Sequence, residues 1–178
     1  FDLSAEVAAL RAQDPRVGAV CSFVGTVRDR NVAPTLPAAR GSLPPEGAAS
    51  PWGGPAANVA PTLPEGLVQS MELEHYPGMT EKSIEAMIDA AHQRFDIFAA
   101  RVIHRVGLLQ PADQIVLVAV TSAHRGQSFL ACEFLMDYLK TQAPFWKKET
   151  TVAGAQWVDA RVSDDVAMAK WGLTVHNA

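Results

Sequence analysis

The sequence predicts an α+β fold, with helices packed on a mostly antiparallel or mixed sheet. Three observations point there. Residues 80–95 and 128–142 carry apolar side chains at helical spacing, whereas 17–24, 68–76 and 101–106 alternate with the period of a strand. The run from Ile115 to Val120 is apolar without a break, the mark of a strand covered on both faces. Toward the C-terminus, short strand-like pieces return on one another through small turns.

The elements follow in order. Ser4 to Gln13 reads as a short helix, with Ser4 able to cap the free amides, Glu6 in the positive first turn and Asp14-Pro15 as the stop. Val17 to Val24 reads as a strand, and Gly25 leads from it into the polar stretch Thr26 to Asn31. Val68 to Tyr76 alternates, with Met71, Leu73 and His75 on one face. After the Pro77-Gly78 turn, Thr80 is expected to cap a helix running to about Phe95, whose inner stripe is Ile84, Met87, Ile88, Ala91 and Phe95. Arg101 to Val106 is a strand ended by Gly107. The apolar strand ends at Thr121 to Gly126. A helix from about Ser128 to Gln142 then turns Phe129, Cys132, Leu135, Met136 and Leu139 inward, until Ala143-Pro144 stops it. Phe145 to Glu149 reads as a strand, Val152 to Ala155 as a turn, Gln156 to Arg161 as a strand and Asp164 to Trp171 as a last short helix.

Residues 32–67 differ from the rest. They hold eight of the 12 prolines and five of the 12 glycines, and only Arg40, Glu46 and Glu65 are charged. The string NVAPTLP occurs at 31–37 and again at 58–64. Two copies fall short of the ~3 that a solenoid needs. The segment reads as a duplicated spacer inserted in a surface loop of one domain spanning 1–178. The alternative is a partner-binding arm held extended by its prolines.

Composition narrows the function classes. The 178 residues are 48% hydrophobic and carry a net charge of −4, enough chain for one domain with a substantial core and too acidic for a general nucleic-acid binder. No apolar run reaches the ~18 residues of a membrane span. Phe1 to Leu10 lacks a basic region followed by an apolar stretch, so no secretory signal is expected, and a few residues are expected to precede Phe1. Two cysteines, Cys21 and Cys132, cannot build a disulfide framework, and the reducing cytoplasm is the expected compartment. Both read as core thiols. His75, His92, His104 and His176 show no metal-ligand spacing, so no metal is expected.

Charged residues are scarce, and their clustering carries information. His124 and Arg125 follow the buried strand and precede a helix, so free amides, the helix dipole and a guanidinium meet where a phosphate or carboxylate could bind; the alternative is a solvated polar turn. Lys140 lies near the end of that helix. It is either an exposed ion-pair partner of Asp137 or an amine in a pocket, able to act as acid, base or nucleophile. Phe145-Trp146-Lys147-Lys148 mixes rings with cations. It suits either a stacking platform for a flat anionic heterocycle or a strand edge with Trp146 in the core.

Several strings in a fixed order then form a pattern: FVGTVR at 23–28 with Asn31, LEHYPGM at 73–79, VIHRVG at 102–107, TSAHR at 121–125, MDYLK at 136–140, APFWKKE at 143–149 and WVDAR at 157–161. Together they strongly resemble the large, catalytic subunit of molybdopterin synthase, over residues 3–171 apart from 32–67.

The resemblance implies an α/β hammerhead with an additional antiparallel β subdomain, and a homodimer. It implies that each protomer binds a small ubiquitin-like sulfur-carrier subunit, giving a heterotetramer. The carrier's C-terminal thiocarboxylate would deliver sulfur to cyclic pyranopterin monophosphate in two transfers, forming the dithiolene of molybdopterin. No cofactor is implied. The family's pocket residues fall on Phe23, Arg28, His124, Arg125, Met136, Lys140, Lys147, Glu149 and Arg161. The stretches Thr26-Val27-Arg28 and Lys147-Lys148-Glu149 line a ligand site that two protomers share. Lys140 and Lys147 are the expected catalytic residues. This agrees with the charge pattern, because two anionic reactants meet only where cations offset their repulsion. The readings left to compete are a non-catalytic anion or nucleic-acid module and a scaffold that only docks a ubiquitin-like partner.

Overall fold

A computed structural model describes residues 1–29, 67–158 and 170–172. Helix α1 (Leu3–Arg11) leads into β1 (Ala19–Thr26); β2 (Val68–His75), α2 (Met79–Arg94), β3 (Ala99–His104), β4 (Gly107–Leu109) and β5 (Gln114–Ser122) follow. Helix α3 (Arg125–Gln142) and the hairpin of β6 (Phe145–Thr151) and β7 (Gly154–Val158) complete the described elements. One sheet has the order β1-β5-β3 and the other β4-β2-β6-β7, and every described ladder is antiparallel. The expected α+β class holds.

Strand β5 explains its own composition. Val116 to Ser122 are all buried. Its odd-numbered Leu117 and Ala119 pack with Leu10 of α1. Its even-numbered Val116, Val118 and Val120 pack on the other face with Met87 and Ala91 of α2 and Phe134 and Leu135 of α3. Helices on both faces remove the need for a polar side, so the alternation vanishes. The second sheet has its own small core of Val27, Met71, Leu73 and Leu109, joined by Ile115 from the first sheet.

Local details differ from the sequence reading. The N-cap of α1 is Asp2, whose carboxylate accepts from the Ala5 amide at 3.0 Å, not Ser4. Thr80 lies inside α2, whose N-cap is Gly78 at φ 80°. Gly78's amide donates to the Glu81 carboxylate at 2.6 Å, so the box closes from the acidic side alone. Buried Thr80 instead accepts from the Tyr76 amide and donates to the Pro144 carbonyl, both at 3.2 Å, tying α2 to the start of β6. Gly107 opens β4 rather than ending β3, because its φ of 85° turns the chain there. Helix α3 begins at Arg125, three residues before the expected start, and Phe129 is 59% exposed rather than inward. Trp146 is also exposed, on the face of β6 opposite the core. The expected spacer at 32–67 and the helix at 164–171 lie, apart from residues 67, 170 and 171, outside the described residues.

Candidate functional site

The structure sorts the candidate residues into two hollows and one helix end. The first hollow, about 210 Å³, lies between the sheets and is lined by Thr26, Arg28, Met71, Leu73, His104, Ile115, Lys147 and Glu149. Strand periodicity builds it. Lys147 and Glu149 are two apart on β6 and therefore share a face, and they pair across the ladder with Leu73 and Met71. Lys148 points the other way, its ammonium 5.5 Å from the ring of Trp157, its partner on β7. Register shifts at Gly25/Thr26, so β1 breaks off and Arg28 follows the break to the hollow.

Glu149 is 2% exposed, and its carboxylate lies 2.6 Å from the Lys147 ammonium. A buried carboxylate fixes that ammonium in place beside three apolar walls. Val27 contributes no side chain to the hollow; it is buried in the second core, and its amide donates to the Asp113 carbonyl.

The second hollow, about 330 Å³, lies between β1 and α3. Cys21, Ser22, Phe23, Phe129, Cys132, Glu133, Met136 and Lys140 line it. Helical spacing places Cys132, Met136 and Lys140 one above another on the same face of α3. Lys140 is exposed at its rim, and Phe23 is 42% exposed. Burial pushes the Cys132 thiol up to about 12, with the neighbouring Cys21 adding to the shift, which keeps it protonated and unreactive. The Asp137 carboxylate is held by the Lys170 ammonium at 2.8 Å and the Trp171 indole at 2.9 Å.

His124 is the N-cap of α3 and Arg125 its first residue; both are exposed and line neither hollow. Arg161 lies outside the described residues. Within one protomer, the cations expected to meet in one cavity are therefore divided. Arg28 and Lys147 share the first hollow, Lys140 stands at the second, and Arg125 stands at a helix start. Sequence reading missed Met71, Leu73, His104 and Ile115 as walls of the first hollow, and Cys21, Ser22, Phe129, Cys132 and Glu133 as walls of the second. His104 carried a signal, since it sits at the end of an alternating strand on a face otherwise apolar. Among the described residues, no group of three or more His, Cys, Asp or Glu could hold a metal ion.

Fold and site define a two-sheet α+β protein in which Arg28, Lys147 and Lys140 stand at hollows with apolar walls. Comparison with known proteins makes this specific. Residues 62–142 match the family model described as MoaE protein. A molybdopterin synthase catalytic subunit from Ralstonia nicotianae is 54% identical over 178 residues, covering 100% of this chain and 83% of that protein. A solved molybdopterin biosynthesis MoaE protein from Burkholderia ambifaria MC40-6 superposes with a TM-score of 0.69 at 48% identity, covering 97% of this chain and 92% of that one. The fold is also that of a protein–protein complex of subunits 1 and 2 of molybdopterin-converting factor from Helicobacter pylori 26695, with a TM-score of 0.60 at 15% identity over 90% of this chain and 86% of that one. The chain belongs to the MoaE family of molybdopterin synthase catalytic subunits.

Proposed function

We propose that the chain catalyses sulfur transfer from the thiocarboxylated C-terminus of a small ubiquitin-like carrier subunit to cyclic pyranopterin monophosphate, forming the molybdopterin dithiolene. It acts as a sulfurtransferase in molybdenum cofactor biosynthesis, as one catalytic domain carrying the 32–67 insertion. The carrying observation is the first hollow, where Arg28 and the Lys147–Glu149 pair stand beside apolar walls. Such a hollow takes a flat ring against Met71, Leu73 and Ile115 and holds an anionic group at its cations.

Thr26, Arg28, Lys147 and Glu149 supply this ring site; Val27, whose backbone amide and carbonyl are both engaged, and Lys148, on the far face of the strand, flank these residues without lining it. Lys147, fixed by Glu149, offsets charge at the reacting atoms. Phe23, Met136 and Lys140 receive the carrier's tail, and Lys140 is the acid, base or transient covalent partner. No sulfur-carrying cysteine is required in this chain, because the sulfur arrives on the partner. His124, Arg125 and Arg161 serve the phosphate from the second protomer of a homodimer. Exposed Phe23, Phe129 and Leu130 supply apolar surface where β1 and α3 meet, as such a dimer face requires. With two carriers, the assembly is a heterotetramer.

No described helix is long and apolar enough to cross a membrane. The setting proposed is the cytoplasm, with no nucleic acid and no membrane as partner. The test is direct. The purified chain, thiocarboxylated carrier and cyclic pyranopterin monophosphate are mixed and dithiolene product is measured. Product formation that requires all three components supports the reading; none with all three present overturns it.

A further inference from the structure

His104 closes one wall of the first hollow and also borders a neighbouring groove between α2 and β6. Two contacts immobilise its ring. It stacks on Phe145 with centroids 3.8 Å apart and planes 20° from parallel. Its Nδ1 lies 2.9 Å from the Arg105 carbonyl oxygen. A carbonyl only accepts, so Nδ1 carries the proton, and in the neutral ring the lone pair is on Nε2. No described residue is bonded to Nε2.

Charged groups stand on both sides of the ring. Arg28 and Lys147 line the same hollow, and Arg105 is the next residue. Glu149 faces the hollow too, but Lys147 engages it. On the groove side stand His75, Glu81 and Glu85, with His75 Nε2 3.6 Å from a Glu81 oxygen. Burial comes first among the causes and lowers the imidazole below its usual 6.5; the bond to the Arg105 carbonyl opposes it, and His75 adds to the lowering.

The first hollow is thus lined by cationic donors, apolar walls, a carboxylate already engaged by a lysine, and the immobilised ring of His104. We infer that His104 is a specificity-determining residue of this site: its Nε2 accepts a hydrogen bond from a ring N–H of the bound reduced pterin. The inference rests on the proposed substrate. A flat heterocycle with several N–H groups needs an acceptor inside the pocket, and a preset lone pair supplies one without reorganisation. An oxygen-edged or fully alkylated ring of the same size leaves Nε2 unpaired and is rejected.

The experiment measures equilibrium binding of cyclic pyranopterin monophosphate to the full chain by isothermal titration calorimetry between pH 5.5 and 8, alongside turnover with thiocarboxylated carrier. His104→Phe keeps the stack on Phe145 and removes both ring nitrogens. His104→Gln keeps an acceptor that does not titrate. The expected result is a Kd raised about tenfold in His104→Phe and by less than about threefold in His104→Gln. Wild-type binding weakens on acidification below pH 6.5, as the lone pair takes a proton, and His104→Gln does not share that loss. Equal Kd in wild type and His104→Phe, equal impairment in both variants, or an identical acid response in wild type and His104→Gln overturns the inference. Binding without turnover in the wild type overturns the proposed reaction and leaves this comparison of Kd values intact. No pterin binding by the wild type overturns both.

Discussion

Lys147 and Glu149 form an ion pair on one strand, at the hollow proposed to hold the substrate ring. The pair is legible as a period-2 neighbour relation, but its burial is not. Only the packing of β6 between β2 and β7 shows that Glu149 is enclosed. Replacing Lys147 with Ala leaves a buried carboxylate without its ammonium, which costs up to about 3 kcal/mol. Lys147→Ala is therefore expected to lower both Tm and turnover, and Lys147→Ala combined with Glu149→Gln to recover part of the lost Tm but not turnover. Thermal melts and dithiolene assays on the two variants check this; an unchanged Tm in Lys147→Ala argues against the pair as a structural element. Lys140 is the contrasting case. It is exposed at a rim, so Lys140→Ala is expected to leave Tm unchanged and to reduce turnover by about 10²-fold or more, with carrier still bound. Near wild-type conversion by that variant would remove Lys140 from the chemistry.

At the scale of elements, most of the helices and strands could be read from periodicity, because α2, α3 and β2 each bury one face and expose another. The caps were less legible. Ser4 and Thr80 have the right chemistry for capping, but several nearby side chains could do it, and the backbone selects Asp2 and Gly78. Thr80 acquires a different role, bridging the end of β2 to Pro144 through one hydroxyl. Thr80→Val is nearly isosteric and removes both bonds in a site 2% exposed. The expected cost is about 1–3 kcal/mol, read as a lower midpoint in urea with an unchanged slope. A midpoint equal to wild type would show the bridge to be energetically idle. The exposed ring of Phe129 was misread because helical spacing alone cannot tell a core stripe from an apolar stripe on the surface.

At the scale of the molecule, the proline-rich stretch presents a simple geometry at its ends. The Val68 amide donates to the Asp29 carbonyl at 2.8 Å, so the chain departs and returns at one point. Deleting 33–64 leaves residues 30–32 and 65–67, with a short polar linker between them, to span a gap already closed by that bond. A loop this short is common between consecutive elements. The deletion is expected to keep Tm, dimerisation and turnover at wild-type levels, as measured by melting, light scattering and product assay. Loss of carrier binding or of the dimer would show the segment to be a docking arm rather than a spacer.

The sequence by itself determined the α+β class, the doubly covered strand β5 and the family, since periodicity and the ordered strings are local properties. The tertiary structure alone decided how those residues are grouped. Arg28 joins Lys147 across two sheets, Lys140 faces a separate hollow, and His104 becomes a wall. The physical reason is that pairing register and sheet packing set which distant side chains meet, and neither is written in any one segment.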